Sequence, residues 1–307
     1  MTAADFSLSQ IAPVAPRQRA AALSLILQPL EPHVRSAHAE QLLLQGVGDE
    51  NLFEGLLVAE RGGQIVGAVW AQLQSGATAF LRAPQLVPGE GMQTGERLLA
   101  AVLELLQRRK VRIVQGLVEL DTSEEARLLR LAGLTHLADL LYLVSLERTF
   151  PSDPPGGMLE FESYQEAERE RLGNLIQRTY IETLDCPQLG GVRDIGDVLD
   201  GYQATGSFNP ARWLFVRHDR QDVGCLLLAA HPEVPQWELV YLGLVPEARG
   251  RGWGIEITRH AQWLARLADQ PRLVLAVDAS NAPAIAMYAA AGFVAWDRRS
   301  VYLRALA

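Results

Sequence analysis

Apolar and polar positions alternate along this chain in a pattern that occurs twice. Leu56 to Trp70 reads LLVAERGGQIVGAVW: an apolar run, a polar turn, a second apolar run. Trp213 to Leu227 reads WLFVRHDRQDVGCLL, the same layout. Short apolar runs bounded by turn residues predict paired strands. The glycine after each turn is Gly67 in one and Gly224 in the other, 157 residues apart. Further on, LVP recurs with Pro88 and Pro246, 158 apart, and an apolar helix ends in AGL at Gly133 and AGF at Gly292, 159 apart. Landmarks at a near-constant offset predict a duplicated domain.

Between the copies, ERTFPSDPPGG (Glu147 to Gly157) has no apolar period and is rich in Pro, Gly and Asp, so it reads as a linker. The expected organisation is a domain over 1–148, a linker over 149–157 and a second domain over 158–307. In the second copy, MLEFESY reads as a short strand. EAERERLGNLIQRTYIETL reads as a helix with Leu172, Leu175, Ile176 and Tyr180 on one face, and VRDIGDVLDGYQATG as another. RWLFVRH, GCLLLAAH and WELVYLGLV are strands. A helix follows over 254–268 with Ile257, Ala261, Leu264, Ala265 and Ala268 on one face. PRLVLAVDA is a buried strand. Asn281 caps the next helix, with Pro283 in its first turn and Gly292 at its end. SVYLRAL is the closing strand. This mixture predicts an α/β layer fold.

Composition narrows the function. The 307 residues are 49% apolar with a net charge of −8, which fits two ordinary folded domains and disfavours a nucleic-acid partner. The two cysteines, Cys186 and Cys225, imply no disulfide framework, and the six histidines form no metal-ligand spacing, so no metal is expected. The N-terminal stretch lacks a secretory pattern, and AALSLILQPL is too short to span a membrane, so the expected location is cytoplasmic, with no membrane partner. The sequence is silent on oligomeric state.

The chemistry concentrates in VPEARGRGWGIEI, Val245 to Ile257, where a strand hands over to a helix. Helix N-termini carry unpaired N–H groups and partial positive charge, and glycine lets backbone approach a phosphate. RGRGWG is therefore a candidate pyrophosphate cradle, with a tight turn and helix cap as the plainer alternative. It lacks the Gly-Lys-Ser/Thr of a Walker loop, and Ile255 stands where a dinucleotide fingerprint needs glycine.

A second motif follows in NAPAIAMYAAAGF. Together, Arg249, Gly252 and Gly254 of the first and Asn281, Ala284, Tyr288, Gly292 and Phe293 of the second resemble the two signature motifs of the GNAT (GCN5-related N-acetyltransferase) superfamily. The doubled layout resembles tandem-GNAT enzymes. The resemblance implies two mixed, twisted sheets flanked by helices, each with a splay between its fourth and fifth strands. It implies acetyl-CoA as co-substrate, held by the backbone of Leu244 and Val245 and by Arg249, Gly250, Arg251, Gly252, Trp253 and Gly254, with Asn281 and Tyr288 nearby. It implies Tyr288 as the acid that protonates the leaving thiolate. In several relatives a glutamate at the place of Glu238 is the general base. The acceptor, a small-molecule or peptide amine, would meet the connection TLDCPQLGGVRD, with Asp185, Cys186 and Arg193 as candidates. A non-catalytic acyl-CoA-binding module and an S-acyltransferase stay open beside this reading.

The first copy looks disarmed. The offset aligns Arg249 with Gly91, Gly252 with Thr94, Gly254 with Glu96, Glu238 with Phe80 and Tyr288 with Leu129. Its loop, VPGEGMQTGERLL, has lost the cations and carries two glutamates, which repel a pyrophosphate.

Overall fold

The computed structural model describes residues 9–28, 31–119, 121, 123–189, 194–231 and 233–306. Residues up to His136 together with those from Ser300 form one compact unit, and Leu137–Arg299 form the other.

The first unit contains β1 (Gln10–Pro13), α1 (Arg19–Ile26), α2 (Pro32–Gly48), β2 (Leu56–Arg61), β3 (Gln64–Gln74), β4 (Thr78–Leu86), α3 (Met92–Arg108), β5 (Ile113–Val118) and α4 (Glu124–Leu131). Its sheet runs β1-β2-β3-β4-β5. α3 is long because Leu98, Leu99, Val102, Leu103 and Leu106 recur at helical spacing, and all five are buried. Ser123 starts α4 by accepting from Ala126 N–H at 3.1 Å.

Next come β6 (Thr135–Leu146), β7 (Glu160–Ser163), α5 (Arg169–Thr179), α6 (Ile195–Gln203), β8 (Trp213–His218), β9 (Gln221–His231), β10 (Gln236–Leu244), α7 (Trp253–Leu267), β11 (Arg272–Asp278), α8 (Ala282–Ala290) and β12 (Val294–Ala305). The second unit's sheet runs β7-β8-β9-β10-β11-β6. β8 and β9 join through Asp219 and Arg220, both at positive φ (49° and 62°), the twist a two-residue hairpin requires. Gly62 and Gly63 do the same between β2 and β3.

Each sequence half ends in a strand that completes the sheet of the other compact unit. β6 pairs antiparallel with β11, from Leu146 opposite Arg272 to Leu140 opposite Asp278. Residues 300–305 of β12 pair antiparallel with β5, from Ser300 opposite Val118 to Ala305 opposite Ile113. The Pro/Gly-rich connection is partly built into the second unit: Phe150 is buried in its core beside Leu143, Leu273 and Phe293. That core also takes Leu172, Leu175 and Ile176 from α5 and Ile257, Ala261 and Ala265 from α7. Burying each large aliphatic side chain contributes about 1.5–3 kcal/mol, which fixes the two helices against the strands. Tyr180, just beyond α5, is only half-buried. Among the described residues no helix is long and apolar enough to cross a membrane.

Candidate active site

The parallel neighbours β10 and β11 pair at only two positions, Trp237 opposite Leu273 and Glu238 opposite Val274. Beyond them the strands run on, to Leu244 and Asp278, without pairing, and this is the expected splay. A bulge sits at its mouth. Leu239 lies opposite Leu228 and Tyr241 opposite Leu227, leaving Val240 as the extra residue. Glu238 lies opposite Ala229 and Tyr241 opposite Leu227. Residues two apart on β9 share a face, so Glu238 and Tyr241 share one too. Plain alternation along WELVY sets them on opposite faces; the inserted residue reverses that.

Glu238 is half-buried, and its Oε2 lies 2.8 Å from His231 Nε2 on β9. Glu238 also bears electrostatically on Tyr142 of β6. Burial is the main cause that raises the Tyr142 phenol above its ordinary range, with Arg299 opposing and Asp297 and Glu238 adding. Sequence reasoning missed His231 and Tyr142. His231 ends a strand whose partner is not fixed by spacing, and Tyr142 belongs to the other sequence half.

The glycine loop begins where β10 ends. Val245 N–H donates to Val223 O at 3.0 Å, and Val245 O accepts from Ala248 N–H at 2.9 Å. Its backbone is therefore already satisfied, against the expectation that it pairs with a ligand. Because successive residues of a strand address opposite edges, Leu244 turns its amide toward the splay. Arg249 also departs from expectation. Its Nη2 donates to Thr179 O at 2.8 Å, Nη1 to Glu182 O at 3.1 Å and Nε to Leu244 O at 3.1 Å. The guanidinium thus caps the C-terminal end of α5, where carbonyls are orphaned and the dipole is negative. Arg251 keeps its charge at the surface, its guanidinium 5.1 Å from the Trp253 ring centre.

Gly250 and Gly252 take φ of 74° and 77°, and a Cβ at either meets nothing, so glycine serves conformation and open space there. Among the described residues no acceptor lies in hydrogen-bonding geometry with the amides of Gly250, Arg251 and Gly252. Gly252 is the N-cap of α7, which starts at Trp253, one residue earlier than its spacing suggests. Gly254 serves packing instead: a Cβ there would come 2.5 Å from Met287 Sδ. The chain thus offers a run of free amides at a helix N-terminus, which fits a phosphate group.

Tyr288 lies on α8, buried, 5.6 Å from Phe293 between ring centres. Burial, aided by the Asp185 charge, pushes its phenol well above the ordinary tyrosine range. Among the described residues its hydroxyl has no hydrogen-bond partner. Asn281 caps α8, its Oδ1 accepting from Ala284 N–H at 3.3 Å. Asp185 and Cys186 meet the end of β11: Asp185 Oδ1 accepts from Asp278 N–H at 3.0 Å, and Cys186 N–H donates to Asp278 Oδ2 at 3.1 Å. Desolvation raises the Asp185 carboxyl above the usual range; the Asp278 N–H opposes this and the Asp278 charge adds to it. Burial, then Asp185 and Asp278, push the Cys186 thiol up to about 12, so it is a poor nucleophile. Arg193 lies outside the described residues. Asp185 is thereby brought into electrostatic reach of Tyr288 and Tyr241, whereas Glu238 is joined to His231 and Tyr142.

In the first unit the corresponding cradle is filled. The buried Glu90 carboxylate accepts from Thr94 Oγ1 at 2.6 Å and from Arg61 at 2.7 and 2.9 Å. The Arg61 bonds chiefly hold its carboxyl below the usual carboxylate range, with Thr94, the Arg61 charge and the Gly91 N–H adding against desolvation. Gly91, which the repeat aligns with Arg249, is the N-cap of α3, the role Gly252 has in α7. Leu129, aligned with Tyr288, is fully buried and supplies no proton.

Residues 178–293 match the Acetyltransferase (GNAT) family. The chain is 28% identical to a mycothiol acetyltransferase of Streptomyces coelicolor over 316 residues, covering 96% of this chain and 94% of that protein. In fold it is similar to a GCN5-related N-acetyltransferase from Sphaerobacter thermophilus, with a TM-score of 0.65 at 16% identity, covering 97% of this chain and 95% of that one. It is also similar to a tandem GNAT protein from the clavulanic acid biosynthesis pathway, with a TM-score of 0.53 at 14% identity over 97% and 98% of the two chains.

Proposed function

We propose that this chain, a member of the GNAT acetyltransferase superfamily, transfers the acetyl group of acetyl-CoA directly to the primary amine of a small-molecule acceptor, with Glu238 as general base and Tyr288 as general acid. The observation that carries this is the open run of glycine-loop amides at the start of α7, beside strands that stop pairing at Glu238. The acetyl donor supplies an activated thioester. Amides of Gly250 to Gly254 would hold its pyrophosphate, and the splay-facing amide of Leu244 would stabilise negative charge on the thioester oxygen. An alkylamine, with a pKa near ~10, arrives as an ammonium ion, so a base must take a proton before attack. The Glu238 carboxylate would receive that proton. Tyr288, neutral because its phenol is buried, would give its proton to the departing sulfur. Asp185, which accepts from the last residue of β11, is the proposed contact for the cationic acceptor.

The test is acetyl-CoA-dependent CoA release with four amines: the free-amine form of mycothiol, glucosamine, spermidine and lysine methyl ester. Mycothiol leads because of the S. coelicolor relative's name. A true acceptor gives saturable turnover and an acetylated product by mass spectrometry, and Glu238→Gln and Tyr288→Phe each remove most of it. Full turnover in both variants would refute the assigned roles.

A further inference from the structure

Glu238 is not a solitary carboxylate. Its Oε2 is occupied at 2.8 Å by His231 Nε2, across the β9–β10 pairing. An ionised carboxylate only accepts hydrogen bonds, so the bond needs a hydrogen on His231 Nε2. Among the described residues neither Glu238 Oε1 nor His231 Nδ1 has a second partner. The two side chains are 31% and 28% exposed, and the bond between them is part-buried.

The geometry around the pair is fixed from three sides. Glu238 sits on the last residue pair before the splay, and the bulge follows after Leu239. Its Cα partner on β9 is Ala229, so His231 reaches it diagonally from the next residue on that face. Gly206, at φ 57°, lies against the ring: a Cβ there would come 2.5 Å from Ala230 O and 3.2 Å from His231 Cε1. Tyr142 stands on the same face of the sheet, two residues from Val144, which pairs with Val274, which pairs with Glu238.

We infer that His231 is a positioning residue for the base: by holding Oε2 it fixes the Glu238 rotamer and leaves Oε1 as the one carboxylate edge open to the acceptor amine. A carboxylate at a strand end has free torsions, and a misplacement of about 1 Å can cost on the order of 100-fold in rate. This inference rests on Glu238 being the base proposed above, and its first test does not need turnover. In 15N-histidine NMR of the intact chain, His231 shows the Nε2–H tautomer, and Glu238→Ala releases it to a mixture of tautomers. An Nδ1–H tautomer in the wild type, or no change in the variant, overturns the pairing. The second test uses acetyl-CoA and whichever of the four amines turns over fastest. His231→Ala lowers kcat by at least ~10-fold with the KM for acetyl-CoA within about 2-fold. His231→Gln, which keeps an N–H donor, restores kcat to within about 3-fold of wild type. Equal kcat in wild type and His231→Ala, or no rescue by glutamine, overturns the positioning role; a purely structural histidine would change thermal stability in both variants and kcat in neither.

Discussion

Arg249 Nη2 donates to Thr179 O at 2.8 Å, so a side chain from the glycine loop closes the C-terminal end of α5. The same guanidinium holds Glu182 O and Leu244 O. The two arginines of RGRGWG therefore divide the work. Arg249→Ala leaves acetyl-CoA affinity within about 3-fold but lowers Tm by roughly 2–8 °C, because three bonds from a charged donor are lost. Arg251→Ala weakens acetyl-CoA binding by more than that, and the effect shrinks between 0.05 and 0.5 M salt. Calorimetry at the two salt concentrations separates them; equal salt-sensitive losses would return Arg249 to the phosphate.

Gly252 has φ of 77° with open space where a Cβ would go. Gly252→Ala therefore acts through the backbone alone, at about 1–2 kcal/mol for the left-handed conformation. The loop relaxes and the amides lose their aim. Acetyl-CoA affinity falls by roughly 10-fold in a calorimetric titration, with the circular-dichroism spectrum unchanged. Unaltered affinity would mean that the loop does not hold the ligand.

Tyr288→Phe removes a hydroxyl that has no partner among the described residues, so stability changes little. Turnover with a true acceptor falls on the order of 100-fold. Burial raises the phenol above its ordinary range, so it stays protonated through and beyond the pH at which a free tyrosine ionises. The kcat profile of the wild type accordingly shows no loss from Tyr288 up to about pH 10. A basic limb near neutrality that disappears in the phenylalanine variant would contradict this.

Glu90 predicts a pH signature in the first unit. Its folded carboxyl is held below the unfolded value, so its contribution is complete above the unfolded pKa and is lost as pH falls through the folded one. Glu90→Gln therefore lowers Tm at neutral pH. The gap to wild type narrows below about pH 4.3 and closes at lower pH. Thermal scans from pH 7 to 3 measure it; a constant gap would mean that the carboxylate charge is irrelevant.

The duplicated layout, the succession of strands and helices in the second copy and the glycine loop were legible because they are local: hairpins, caps and helix starts write themselves in neighbouring residues. The bulge after Leu239 was not, since an extra residue in WELVY leaves the apolar count unchanged while reversing every side chain beyond it. The role of Arg249 was hidden because its partners are carbonyls, which every residue has. His231 and Glu238 are seven positions apart, close in sequence, yet only the β9–β10 register joins them. The destination of β6 was hidden for a similar reason: its apolar residues suit either sheet equally.

That destination bears on any attempt to work with the second half by itself. A chain begun at residue 158 keeps both motifs but lacks β6, and Arg272–Asp278 then presents a bare, largely apolar row of backbone donors and acceptors. Such a row is a template for another chain. Residues 300–305 would likewise be left without β5. The excised half should elute from size exclusion as soluble aggregates rather than as a monomer. The first sequence half thus contributes, through β6, a strand without which the edge of β11 stands open.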